Sequence, residues 1–199
     1  MVETYLRQSP LAHLGLEGRA EAVRGGAGVA MAERRFPGIL NLRGTPEGLS
    51  GPIEAAFGFA LPTEPNTTAS KDEVSVFWLG PDEWWLLGPE ATSLAARLNE
   101  ALDGIACAVT QVGESRTCIR VAGPHARDLL AKGCPLDLHP RAFAAGSCAQ
   151  SRLAKADVLV HQVDDKPTYD LYGLRSFAEY LWLWLEDAAR EYGMVVVGG

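Results

Sequence analysis

Gly38-Ile39-Leu40-Asn41-Leu42-Arg43-Gly44-Thr45-Pro46 and Thr117-Cys118-Ile119-Arg120-Val121-Ala122-Gly123-Pro124-His125 share one plan: an alternating strand, a glycine, and a proline near a helix start. The offset between Gly44 and Gly123 is 79 residues, which is the signature of an internal repeat. An apolar helix candidate and a proline-containing loop follow each copy. The first pair is Ile53–Phe57 and Leu61–Pro65, the second Ala126–Leu130 and Cys134–Pro140.

Further along, Val74–Leu87 resembles Val158–Leu171, each reading as strand, acidic turn, strand. Helices close both halves, Ser93–Leu102 and Ser176–Leu185, and Leu98 and Leu183 lie 85 residues apart, so the offset drifts little. The order strand, helix, hairpin, helix occurs twice, with an extra strand expected at Cys148–Ala154 in the second copy. It predicts an α+β fold of two fused ferredoxin-like-type repeats, with helices on one face of each antiparallel sheet. Residues 1–199 are expected to form a single compact unit, with repeat halves at about 25–104 and 105–192.

Local chemistry marks the helix ends. Pro124 suits a first helical position and Gly133 a helix stop, while Asp103-Gly104 ends the helix that begins near Thr92. On the last helix the apolar stripe reads Phe177, Tyr180, Leu181, Trp184, Leu185 and Ala188. Trp182 and Leu183 fall outside it, at roughly 140° and −120° on a wheel of 100° per residue. A helix apolar nearly all round is covered on more than one side, either by its own fold or by a partner.

The 199 residues carry 18 Lys+Arg against 25 Asp+Glu, a net charge of −7. Phosphate neutralisation needs a basic face, and no basic run here exceeds Arg34-Arg35, so nucleic acid is excluded as a partner. No apolar stretch approaches the roughly 20 residues that cross a bilayer. Met1–Arg7 shows neither a basic nor an apolar leader region, and a cytoplasmic location is expected. Cys107, Cys118, Cys134 and Cys148 lack the short spacing of zinc ligands and read as separate reduced thiols. Asn66-Thr67-Thr68 fits a glycosylation sequon but carries no weight without a secretory signal.

Candidate catalytic patterns dissolve one by one. Asp82-Glu83 and Asp164-Asp165 are paired carboxylates, yet both sit at hairpin turns beside a proline, where Asp favours the turn itself. Gly25-Gly26-Ala27-Gly28 places Met31 where a dinucleotide loop needs its third small residue, so it reads as a turn into the strand Val29–Phe36. His13, His125, His139 and His161 have no metal-binding spacing and no nucleophile elbow to serve. Lys132 precedes Cys134 and lowers a thiol pKa in principle, but a helix C-terminus raises it, and Lys-Gly-Cys-Pro reads as a helix stop.

The five tryptophans are more telling, because Trp78, Trp84 and Trp85 surround one hairpin while Trp182 and Trp184 lie on the last helix, equivalent places in the two halves. Trp78 and Trp184 are expected in the core. Alternation puts Trp84 and Trp85 on opposite faces of their strand, so one of them is expected to leave the core for an interface.

These residues carry a family resemblance. Trp78-Leu79-Gly80-Pro81-Asp82-Glu83-Trp84, Ser115-Arg116-Thr117, Gly123-Pro124-x-Ala126-Arg127-Asp128-x-Leu130, Lys132–Pro140 and Arg175-Ser176-Phe177-Ala178 together resemble the γ subunit of heterotetrameric sarcosine oxidase. The likeness runs from about Pro10 to Tyr192, and Lys-Gly-Cys-Pro-Leu-Asp-Leu-His-Pro is its most specific part.

The resemblance implies partnership with α, β and δ subunits in a complex that oxidatively demethylates sarcosine to glycine. Hydrogen peroxide is the other product, and the one-carbon unit leaves as formaldehyde or as 5,10-methylenetetrahydrofolate. FAD, FMN, NAD, zinc and tetrahydrofolate are implied on the partner subunits and no cofactor on this chain. The fold implied is part of the folate-binding aminomethyltransferase fold.

Two functions follow from this reading. The first is a non-catalytic structural and assembly subunit, with Trp84, Trp85, Arg116, Arg175, Trp182 and Leu183 as interface candidates and no catalytic or metal-ligating residue. The second is a stand-alone tetrahydrofolate-binding, aminomethyltransferase-like protein in which Arg116 or Arg175 holds a glutamate carboxylate. For both arginines an ion pair at an element end or between subunits is the simpler role.

Overall fold

The computed structural model describes residues 8–20, 26–34 and 38–198. It is α+β, as the sequence predicts. A first unit runs β2 (Gly38–Gly44), α2 (Pro46–Phe57), β3 (Thr68–Lys71), β4 (Val74–Gly80), β5 (Glu83–Gly88), α3 (Ala91–Ala101) and β6 (Cys107–Gln111). A second runs β7 (Arg116–Ala122), α4 (Ala126–Ala131), β8 (Cys148–Leu153), β9 (Ala156–Gln162), β10 (Thr168–Leu174), α5 (Ala178–Ala189) and β11 (Met194–Val196). Before both come a short α1 (Leu16–Arg19) and β1 (Val29–Glu33).

The strands form two sheets, ordered β3-β4-β5-β2-β6 and β8-β9-β10-β7-β1-β11. Read side by side, the two orders match strand for strand except at one place. Beside β2 stands β6, whereas the equivalent place beside β7 is taken by β1, also antiparallel, with β11 added in parallel at its edge. The halves expected at 25–104 and 105–192 therefore exchange a strand: β1 lies in the first by number and joins the second sheet, and β6 does the reverse. Neither β3 nor β6 is expected from the sequence, because Thr68-Ala69-Ser70-Lys71 and Cys107-Ala108-Val109-Thr110-Gln111 are short and largely polar or small.

Alternation along each strand separates three buried clusters. Leu40, Leu42, Val76, Trp84 and Leu86 face α2 and α3. Ile119, Val121, Val158, Val160, Tyr169 and Leu171 face α4 and α5. Between the sheets lie Ile39, Phe77, Trp85 and Leu87 from one and Cys118, Cys148, Leu159 and Tyr172 from the other. The result is four layers, helix, sheet, sheet, helix. The sheets are stitched along one side: the Cys148 amide donates to the Asn66 carbonyl at 2.9 Å and Thr68 Oγ1 to the Gly146 carbonyl at 2.7 Å.

Helix ends show what the chain can and cannot announce. Pro46 opens α2, where its missing amide costs nothing, and Gly58 closes it in the left-handed conformation at φ 71°. Glu90 caps α3, its carboxylate accepting from the Thr92 and Ser93 amides at 2.8 and 2.6 Å, and these bonds hold its pKa down to about 2.

Pro124, in contrast, is not a first helical residue: α4 begins two residues later, after a turn in which the Ala126 amide reaches the Gly123 carbonyl at 3.0 Å. Gly133 is required for space. A Cβ there would lie 2.6 Å from the Trp184 ring.

The buried stripe of α5 is Ala178, Leu181, Trp182, Leu185 and Ala189, rotated from the expected stripe by roughly a quarter-turn on a wheel of 100° per residue. Phe177 is exposed, while Tyr180, Trp184 and Ala188 are only half-buried. Trp182 sits at 0% exposure in the same cluster as Leu11, so the fold itself covers this side of the helix and leaves no Trp182 surface for a partner. Its indole donates to Glu186 Oε2 at 2.9 Å, and Glu186 is held by Arg19 of α1 at 2.5 Å.

Candidate functional site

The face of the larger sheet that meets the smaller one is built in rows, set by strand register. Arg120 on β7 pairs with Asp170 on β10, which pairs with His161 on β9, which pairs with Cys148 on β8. The next row is Cys118, Tyr172, Leu159 and Gln150. At the strand ends Arg116 pairs with Leu174, and Asp157 with Arg152.

The His161 and Cys148 end of the first row is covered by the smaller sheet. Arg120 grips Asp170 through two parallel hydrogen bonds, Nε to Oδ1 and Nη2 to Oδ2, both 2.7 Å, with Asp170 only 5% exposed. This bonding raises the Arg120 pKa. The Phe77 ring lies 4.5 Å from that of His161, and burial pushes the His161 pKa down to about 4 against the opposing pull of Asp170. In the middle row burial pushes the Cys118 thiol and the Tyr172 phenol well above their ordinary values. Cys148 is likewise pushed up to about 12. A neutral imidazole and protonated thiols in a packed seam serve structure and are poor acids, bases or nucleophiles at neutral pH.

The last row is open. It forms a cleft of about 380 Å³ with Trp85 and Tyr172 in its lining and Arg116, Gln150, Arg152 and Asp157 around them. The Arg116 guanidinium lies 5.0 Å from the centroid of the Trp85 ring. Its Nε is buried without a hydrogen-bond acceptor among the described residues, and burial alone lowers its pKa. Arg152 and Asp157 make a loose pair at 3.8 Å.

The remaining site candidates separate. Trp84 is fully buried under the helices, its indole donating to the Pro62 carbonyl at 2.7 Å. Trp85 does face the other way, as alternation requires, but the larger sheet covers it, with Tyr172 edge-on at 6.2 Å. Neither is offered to a partner as a free aromatic, because the second face is buried by the other half of the same chain. Arg175 donates to the Gln8 carbonyl at 2.5 Å and its charge acts on Glu33, so it ties down the N-terminal segment. Leu183 is 48% exposed.

Trp78 and Trp184, expected in the core, are each half-buried against it. Asp82 lies in the β4–β5 turn as expected, but Glu83 does more, accepting from Asn41 at 2.7 Å and Arg43 at 2.6 Å. Cys134 and Leu138 are buried in the main cluster beside Phe143, so the Lys132–Pro140 segment is a plug of the core. Gly25 lies outside the described residues. Gly28 allows close backbone approach: its amide donates to the Tyr192 and Gly193 carbonyls at 3.0 Å, and a Cβ would meet the Tyr192 oxygen at 2.4 Å.

Among the described residues no three His, Cys, Asp or Glu side chains are grouped to hold a metal ion, and no helix is long and apolar enough to cross a membrane. The Arg120–Asp170 pair and the open Arg116 row are the features the sequence leaves unseen, since they depend on strand register.

Residues 46–191 match the family described as sarcosine oxidase, gamma subunit. The sarcosine oxidase subunit gamma of an Arthrobacter species is 36% identical over 197 residues, 98% of this chain and 95% of that protein. That of Corynebacterium sp. strain P-1 is 35% identical over 191 residues, 95% of this chain and 93% of that protein.

Among solved structures, a chain of the heterotetrameric sarcosine oxidase from Corynebacterium sp. U-96, in complex with pyrrole 2-carboxylate, superposes with TM-score 0.84 at 33% identity. The match covers 94% of this chain and 96% of that one. The glycine cleavage system aminomethyltransferase T from Bartonella henselae matches with TM-score 0.69 at 16% identity, covering 96% of this chain and 59% of that one, a likeness of fold.

Proposed function

This chain belongs to the sarcosine oxidase gamma subunit family, and from that premise we propose that it is a structural, non-catalytic subunit of a heterotetrameric oxidase. The reaction proposed is oxidative demethylation of sarcosine to glycine with release of hydrogen peroxide, the one-carbon unit leaving as formaldehyde or 5,10-methylenetetrahydrofolate. FAD, FMN, NAD, zinc and tetrahydrofolate belong, in this proposal, to the α, β and δ partners, and the complex is cytoplasmic.

The observation that carries the reading is the likeness to gamma subunits over nearly the full length of both chains. The chemistry of the seam supports it, because His161, Cys118, Cys148 and Tyr172 are all shifted toward their neutral forms by burial. Leu183, half-exposed on α5, and Arg116 in its open row are the candidates retained for contact with partners.

The test is calorimetric titration of the chain, expressed alone, with tetrahydrofolate. No heat of binding is expected. Tight binding by a well-behaved monomer refutes the structural-subunit reading and favours the aminomethyltransferase-like one.

A further inference from the structure

We propose that the Arg116 cleft is the seat of an aspartate or glutamate side chain carried by a partner subunit, so that one ion pair of the assembly is completed there. Arg120, four residues along the same strand, faces Asp170 on β10 and is gripped by it through Nε and Nη2. Arg116 faces β10 in the same way, but the residue opposite it is Leu174, which offers no acceptor. Its guanidinium is already positioned on Trp85 and its Nε has no acceptor among the described residues. For a guanidinium that lines an open cleft, a carboxylate is the strongest partner.

Charge and exposure select the source. The cleft holds two arginines against one aspartate, in a chain of net charge −7. A free anion is repelled by the chain as a whole, whereas a carboxylate delivered on a protein surface is carried in by apolar contact. That contact is available at the same end of the sheet. Leu174 at 38% and Phe177 at 39% are two of the three large hydrophobic side chains that stand exposed among the described residues. Apolar contact beside a desolvated ion pair is the usual anatomy of an interface anchor. The proposal rests on the hetero-oligomeric reading above.

The test uses the co-expressed complex. Arg116→Glu is expected to lower retention of this chain on the tagged partners at least tenfold at moderate salt, with Arg116→Lys within about threefold of wild type. In the Arg116→Lys complex, zero-length coupling of carboxylates to amines followed by mass spectrometry is expected to join Lys at position 116 to an Asp or Glu of a partner subunit. Equal retention of the Arg116→Glu and wild-type chains overturns the inference, and so does coupling confined to Asp157 of the same chain. If the wild-type chain itself fails to co-purify, the assembly reading fails instead.

Discussion

Replacing Trp182 by alanine tests the burial of α5 most severely. The side chain has 0% exposure and belongs to the main buried cluster with Leu11, Leu181, Leu185 and Ala189. Truncating a buried tryptophan to alanine costs about 3–5 kcal/mol, most of it lost transfer and cavity. The Nε1 bond to Glu186 adds about 0.5–1.5 kcal/mol, but Glu186 keeps its pair with Arg19, so no orphaned charge is left behind. At about 2–4 °C per kcal/mol for a domain of this size, the melting temperature of the chain falls by about 7–26 °C.

Circular dichroism melts of the wild-type, Trp182→Ala and Trp182→Phe chains measure this. Phenylalanine keeps most of the apolar volume and loses only the indole bond, so its cost is about 1–2 kcal/mol. A Trp182→Ala chain melting within about 1 °C of wild type, yet no longer retained by partner subunits, refutes the burial argument and returns Trp182 to an interface.

Gly133→Ala forces a Cβ against the Trp184 ring and lowers stability by about 1–3 kcal/mol, partly restored in a Gly133→Ala, Trp184→Leu double variant; urea unfolding of the four chains gives the cycle. Asp170→Asn leaves Arg120 with a neutral, poorly matched partner and costs about 2–3 kcal/mol in the same assay. His161, held near a pKa of about 4 against 6.5 unfolded, favours the neutral fold, so its contribution is complete above pH 6.5 and is lost as pH falls toward 4, about 3 kcal/mol in all. The stability difference between wild type and His161→Leu, measured by urea unfolding from pH 8 to 4, isolates that loss from the carboxylates. A difference that does not change over this interval contradicts it.

The duplicated order of strand, helix, hairpin and helix is legible because strand alternation and glycine-proline punctuation are local signals. What each half does with its first strand is not. β1 and β6 pair across the expected boundary, and strand partners are chosen by the whole fold. Trp85 shows the same limit at one residue: alternation places it correctly on the second face, yet only the other half of the chain decides that this face is buried. On α5 the largest aromatics suggest one stripe while packing selects another, since Trp182 reaches a cluster that also draws in Leu11 from the N-terminal segment. Arg116 is readable as a candidate, but its vacancy opposite Leu174 is a matter of register.

The proposed role of this chain is assembly without chemistry of its own. Native mass spectrometry of the oxidase complex, co-expressed with and without the chain, tests it most directly. One copy in a complex with three partners is expected, and fragmentation of that complex when the chain is omitted. Full assembly of the partners with one another in its absence would rule out an assembly role for this chain.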